Sequence, residues 1–241
     1  METLYNLSFE INDSCPMTAE HPDCPRGHNR FRHYRKYEPI TIDEIIDFTN
    51  ICIDKFNFRG LICVNYYNEP LATKDKVLQL VEAFPNRIIL YTNGVLLDGS
   101  DEKILNGVNH IWVSEYKDTG LRERLKDYPK VRFQKGSLDN RTRDVAPVFN
   151  PKNNFCRRID LELCIDYYGY GHICCADWKG EMYIGNMKSD DPCVFLQSWN
   201  NWRILLRSSQ PWSQDDFQCL PNCCQLCLTR TPHLSKDASY G

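Results

Sequence analysis

The sequence predicts an α/β fold: a shortened series of parallel βα units over residues 1–150, followed by a small cysteine-rich domain over residues 151–241. Three observations carry this. Short apolar runs at period two alternate with segments whose apolar residues recur at helical spacing, the pattern of βα units. About five such units are visible, too few to close an eight-stranded barrel. Of the 13 cysteines, four precede residue 155 and nine lie between Cys156 and Cys227, so the composition breaks near 145–155, where VAPVFNPKNN has the character of a linker.

Taken in order, residues 4–11 put Tyr5, Leu7, Phe9 and Ile11 on one face of a strand. A polar, proline-containing loop follows. Thr41 and Glu44 then have the spacing of a capping box ahead of Ile42, Ile45, Ile46, Thr49, Cys52, Ile53 and Phe56, which predicts an amphipathic helix. LICV at 61–64 predicts a core strand. Thr73 opens a second helix carrying Val77, Leu80, Val81 and Phe84, stopped by Pro85. IILY at 88–91, a short helix near 101–106, IWVS at 111–114, a polar helix near 118–127 and VRF at 131–133 continue the alternation. Parallel units of this kind place ligand sites at the C-terminal ends of the strands.

Composition narrows the function. Hydrophobic residues at 42% and charged residues at 25% exclude wholesale disorder. No run approaches the roughly 20 apolar residues of a membrane helix, and residues 1–20 have no basic start followed by an apolar block. The expectation is a cytoplasmic protein with no membrane partner. A net charge of −3 argues against nucleic acid as a main partner. Arg26, His28, Arg30, Arg32, His33, Arg35 and Lys36 form one basic stretch, interleaved with Phe31, Tyr34 and Tyr37 and read first as a solvated loop. GxSxG, P-loop, GxGxxG and HExxH patterns are all missing, which leaves acyl transfer, nucleotide phosphate binding and zinc hydrolysis without support.

An odd number of cysteines in a reducing compartment points to metal rather than disulfides. Two places concentrate the ligands. Cys15, His21 and Cys24 share the loop after the first strand, and their softness suits an iron-sulfur cluster or zinc. The second part holds Cys156, Cys174, Cys175 and the run Cys219-Leu-Pro-Asn-Cys223-Cys224-Gln-Leu-Cys227. Spacing alone fits zinc and iron-sulfur equally. Cys52 and Cys63 lie in a helix and a strand and read as small hydrophobes.

The strand ends resemble those of radical S-adenosylmethionine (radical SAM) enzymes. The residues that carry the resemblance are the Cys15 loop, Tyr67-Asn68-Glu69-Pro70 after the second strand, Tyr91-Thr92-Asn93-Gly94 after the third, and Val113-Ser114 closing the fourth. Glu69 and Pro70 match the family's Gly-Gly-Glu-Pro segment, with Tyr67 and Asn68 in place of the glycines. In the family's CxxxCxxC loop, Cys15 and Cys24 match the outer ligands and His21 stands at the middle one. The C-terminal part looks like the SPASM or twitch auxiliary-cluster extension. It shares the Cys156-x12-Gly169-x4-Cys174 spacing, the Cys-Cys-Ala-Asp177 turn, Gly185-Asn186 and the Trp-rich segment SWNNWRILLRSS.

The resemblance implies a shortened partial (β/α) barrel followed by a small Cys-rich β-hairpin plus helix domain. It further implies an oxidoreductase or modifying enzyme that uses a 5′-deoxyadenosyl radical to abstract hydrogen from a peptide or small-molecule substrate. The cofactors would be S-adenosylmethionine at Asn68, Glu69, Pro70 and Ser114, and a [4Fe-4S] cluster at Cys15, His21 and Cys24. An auxiliary [4Fe-4S] cluster would sit at Cys156, Cys174, Cys224 and Cys227, and an electron donor would serve as partner. The rival reading is a non-catalytic iron-sulfur or zinc protein, for binding or electron transfer, that has lost the initiating cluster.

Overall fold

The computed structural model describes residues 4–22, 24–25, 37–116, 118–136, 147–149, 151, 155–156, 159 and 161–230. The basic stretch apart from Tyr37, and much of the linker, lie outside the described residues.

Strand β1, Asn6–Phe9, is shorter than the expected 4–11. Leu7, Phe9 and Ile11 are fully buried as the alternation requires, but Tyr5 is 55% exposed, because the chain is still entering the sheet there. Ser8 and Glu10, on the opposite face, are fully buried as well. A strand covered on both faces is expected at the centre of a parallel sheet. Here its second face is polar and looks into the interior of the fold.

Helix α1, Ile42–Phe56, starts at the Thr41 cap, where the Thr41 hydroxyl accepts from the Glu44 N–H and the Glu44 carboxylate accepts from the Thr41 N–H. Asn57, in a left-handed conformation, ends it. Strand β2, Leu61–Cys63, follows Gly60, where a Cβ would stand 1.6 Å from the Tyr5 carbonyl oxygen, so that only glycine allows the close strand approach. A 3-10 turn, Pro70–Thr73, leads into α2, Lys74–Ala83. Then come β3 (Ile88–Thr92), α3 (Glu102–Gly107), β4 (His110–Glu115), α4 (Leu121–Arg124) and β5 (Val131–Lys135). The polar helix expected near 118–127 is only the four residues of α4, since Leu121 and Leu125 are its only buried apolar anchors.

After the linker the chain re-enters the same sheet. Strand β6, Glu162–Ile165, pairs in parallel with β1, and β7, Gly171–His172, folds back antiparallel on β6. The sheet therefore has seven strands in the order β5-β4-β3-β2-β1-β6-β7, all parallel except β7: a mixed α/β partial barrel. The Trp-rich segment forms α5, Pro192–Ser208, capped by Asp191, with Phe195, Leu196 and Trp199 buried. Helices α6 (Gln214–Cys219) and α7 (Asn222–Arg230) complete the described chain. One hydrophobic core runs from Leu4 to Leu228 across both parts. No described helix is long and apolar enough to cross a membrane.

Candidate functional site

A cavity of about 380 Å³ occupies the concave interior of the sheet, within the range of small-ligand pockets. Side chains from β1 through β6 and from the Cys15 loop line it. Its upper end is built from the turns after β1, β2 and β3, which are stitched together by hydrogen bonds. The Asn12 amide donates to the Glu69 carbonyl and to Thr73 Oγ1, both at 3.0 Å, while its own oxygen accepts from the Ser14 N–H at 2.9 Å. The Glu69 N–H returns a bond to the Ser14 carbonyl at 2.8 Å. These contacts set the direction in which the chain enters Cys15.

Glu69 is the hub of this end. Its carboxylate accepts from the Leu71 N–H at 3.1 Å, Thr92 Oγ1 at 2.7 Å and the Asn93 N–H at 2.9 Å. Burial pushes its pKa up, and the bonds from Asn93, Thr92 and Leu71 oppose that shift. Three of the roughly four lone-pair positions of a carboxylate are thus occupied by the protein itself. Asn68 is likewise committed: its Oδ1 accepts from the Tyr66 N–H at 3.0 Å. Pro70 opens the 3-10 turn and is buried. Ser114 reaches the cavity from β4 and accepts from the Gln134 amide on β5 at 2.9 Å.

Of the three expected loop ligands, Cys15 and His21 line the cavity. Cys15 Sγ accepts a long contact of 3.7 Å from the Asn93 amide. His21 is 7% exposed, its ring sits 4.3 Å from that of Tyr116, and its Nε2 is buried with no hydrogen-bond partner. An imidazole nitrogen left in that condition carries a desolvation cost unless something binds it, so His21 fits a ligand role. Cys24 is not among the cavity-lining residues; it packs instead beside the buried group of Tyr66, Tyr67 and Cys164.

The second thiol set is brought together by β6, β7 and α7. Burial raises the pKa of the Cys174 thiol, and the neighbouring thiols of Cys175, Cys156, Cys223 and Cys227 raise it further. For Cys224 the hydrogen bond with Cys223 favours the thiolate, but burial and the thiols of Cys174, Cys156 and Cys227 outweigh it and the balance is upward. Cys156, Cys174, Cys224 and Cys227 are therefore electrostatic neighbours, a donor set of the soft kind that iron-sulfur clusters and zinc take. Cys223 is buried behind them, its N–H held by Glu181 Oε2 at 2.9 Å, and Cys219 is exposed. Among the described residues no three His, Cys, Asp or Glu side chains are arranged to hold a metal ion as they stand.

Several residues at or beside the cavity escape sequence reasoning. Cys175 lines the cavity, its carbonyl takes the Tyr67 hydroxyl, and it is adjacent in sequence to Cys174, so it joins the cavity to the thiol set. Glu10 accepts the Tyr67 N–H at 3.2 Å and the Tyr167 N–H at 3.3 Å, anchoring the loops after β2 and β6 to the end of β1. Glu162 enters the cavity from the start of β6, a carboxylate at the head of an otherwise apolar strand, and that is the one signal the sequence offered. Cys52 is a packed core residue with its pKa pushed up to about 12 by burial, whereas Cys63 is buried yet borders the cavity.

No family model matches the chain, and no curated protein matches it either. Among solved structures, the chain is similar to BtrN in complex with AdoMet and 2-DOIA, at 20% identity and a TM-score of 0.65, over 88% of this chain and 92% of that one. It is also similar to selenomethionine BtrN in an open conformation, at 19% identity and a TM-score of 0.61, over 86% and 87% of the two chains. The fold of this chain is that of BtrN across nearly its whole length.

Proposed function

We propose that this chain is a radical SAM enzyme with one auxiliary cluster. The observation that carries the reading is the convergence of Cys15, His21 with its buried Nε2 lacking a hydrogen-bond partner, and the Glu69 turn on one end of a cavity, in a fold shared with a protein captured with AdoMet. Cys15, His21 and Cys24 would hold the initiating [4Fe-4S] cluster, and Cys156, Cys174, Cys224 and Cys227 the auxiliary one. When bound, the initiating cluster supplies the one-electron cleavage of S-adenosylmethionine that yields a 5′-deoxyadenosyl radical for hydrogen abstraction.

The chain's own residues do the rest. The turn of Asn68, Glu69 and Pro70, with its side chains already braced by the backbone, presents a fixed surface to the methionyl end of the cofactor. Preorganisation of this kind spares the ligand the cost of ordering the turn. Ser114 and Gln134 offer a hydroxyl and an amide further along the wall, and the sheet and α1 shield the interior from water. An external electron donor and a peptide or small-molecule substrate complete the set of partners.

Cys24 packs beside Tyr66 and does not itself line the cavity, which supports a second reading, in which only the C-terminal site holds metal and the protein is a non-catalytic iron-sulfur or zinc module. Metal analysis of anaerobically purified and reconstituted protein separates the two. Iron and sulfide for two clusters supports the enzyme, iron for one supports the module, and colourless protein with stoichiometric zinc contradicts iron-sulfur chemistry altogether.

A further inference from the structure

A closed circuit of buried contacts joins the turn after β2 to the turn that carries Cys174 and Cys175. In one direction, Asn68 Oδ1 accepts the Tyr66 N–H at 3.0 Å, the Tyr66 ring lies 5.2 Å from that of His172, and His172 Nδ1 stands 2.9 Å from the Asp177 carbonyl oxygen. The Asp177 N–H then donates to the Cys174 carbonyl at 3.1 Å. In the other direction, Tyr67 follows Tyr66 and donates its hydroxyl to the carbonyl of Cys175, the residue after Cys174. The two tyrosine rings sit 4.3 Å apart and close the circuit across its middle. Tyr66, Tyr67, Asn68, His172, Cys174 and Asp177 are all buried.

Both ends of the circuit are braced. The Tyr67 N–H is held by Glu10 Oε1 at 3.2 Å, and the Asp177 carboxylate accepts from the Glu181 N–H at 2.8 Å and the Met182 N–H at 3.3 Å. Tyr67 and Asn68 are also the two residues that stand in place of glycines in the Gly-Gly-Glu-Pro segment. A glycine has no ring, hydroxyl or amide, so the circuit exists because of those two replacements. A close-packed interior has little slack between such contacts, and a ligand that orders one segment spares a second ligand the cost of ordering it. We infer that Tyr67 is a positioning residue that couples the two sites: metal held by Cys174 fixes the Cys175 carbonyl, and Tyr67 passes that order to the Asn68–Glu69–Pro70 turn. By linkage, a ligand that orders this turn favours metal at the thiol set to the same extent.

The inference rests on reading Cys174 as a metal ligand, and it is tested with zinc alone, without S-adenosylmethionine and without turnover. The amides of Tyr66, Tyr67, Glu69 and Leu71 each donate a hydrogen bond, so their hydrogen exchange reads the opening of the turn. Exchange over residues 66–71 is measured by mass spectrometry on the full chain, zinc-free and zinc-loaded, with bound zinc counted separately. All proteins carry Cys15→Ala, so that zinc at that loop does not act on the turn directly. Zinc should slow exchange over 66–71 about tenfold with Tyr67 present, and by a factor of about three or less in Y67F, a loss typical of a broken coupling between sites. Exchange in β4 should be the same in both proteins, with and without zinc.

A purely structural role for the hydroxyl would instead speed exchange equally in the zinc-free and zinc-loaded forms of Y67F, and that outcome overturns the inference. Zinc that binds without slowing exchange over 66–71 overturns it as well, while leaving the metal site in place. Absence of bound zinc sinks the metal-site reading and the inference with it. Tyr67→Gly, the replacement that removes ring and hydroxyl together, should abolish the zinc effect; if that variant fails to fold, Y67F decides. A failure to make 5′-deoxyadenosine would leave these measurements standing and sink only the radical reading.

Discussion

Glu69 Oε2 accepts the backbone N–H of Asn93 at 2.9 Å, across 24 residues of sequence. With Thr92 Oγ1 on the other oxygen, this one carboxylate locks the turn after β2 to the turn after β3. The position of the Asn93 amide against Cys15 follows from that lock.

Burial raises the Glu69 pKa above its ordinary 4.5. Between that value and the raised one, the folded chain keeps a proton that the unfolded chain has lost, so stability falls as pH rises through this window and is level above it. E69Q should flatten that part of the profile. At neutral pH it should also cost about 1–3 kcal/mol, because its amide would face the Asn93 N–H donor to donor. Denaturant midpoints between pH 4 and 7 for both proteins check both effects.

Gly94 follows Asn93 with φ of +77°, and a Cβ there would stand 2.8 Å from Val113 Cγ1. Gly94→Ala should destabilise the chain by about 1–2 kcal/mol from the backbone conformation alone, with more from the contact. Because the turn carries Asn93, S-adenosylmethionine affinity should fall together with the melting temperature. A variant of wild-type stability and affinity would show that the turn does not position the site.

Cys224→Ala or Cys227→Ala should loosen residues 156–227 as a unit, since a bound metal would cross-link β7 and α7 to the segment holding Cys156. Limited proteolysis of the metal-loaded proteins should give early cleavage in that segment for either variant and none for Cys219→Ala, whose side chain is exposed. Equal resistance in all three argues against the four-thiolate set.

His21→Cys tests the histidine ligand directly. Histidine ligation raises cluster potential relative to thiolate, so the substituted protein should still bind a cluster at the Cys15 loop but reduce at a lower potential. An unchanged potential in a redox titration followed by electron paramagnetic resonance would remove His21 from the ligand set.

The order of elements was legible because it rests on local signals. The Thr41–Glu44 capping box and the helical spacing from Ile42 to Phe56 are short-range features, and α1 forms where they place it. The position of β6 was not legible: Leu161, Leu163 and Cys164 alternate too poorly to assign a face, and the parallel pairing of this strand with β1 is a long-range choice that no local pattern encodes. The same pairing buries Cys164 completely and brings Glu162 into the cavity. Cys15, His21 and the Glu69 turn were singled out by their resemblance to radical SAM strand-end motifs, and the fold brings Cys15, His21 and Glu69 onto one cavity. Cys175 was passed over because its partner across the fold, Tyr67, is 108 residues away.

The central claim is that this chain cleaves S-adenosylmethionine reductively at the Cys15 end of the cavity. Reconstituted protein is incubated anaerobically with S-adenosylmethionine and dithionite, and 5′-deoxyadenosine is measured by liquid chromatography and mass spectrometry, with Cys15→Ala as control. The account predicts 5′-deoxyadenosine from the wild type and none from Cys15→Ala, in which the C-terminal cluster remains. No product and no S-adenosylmethionine binding by wild type whose C-terminal cluster is intact would contradict it.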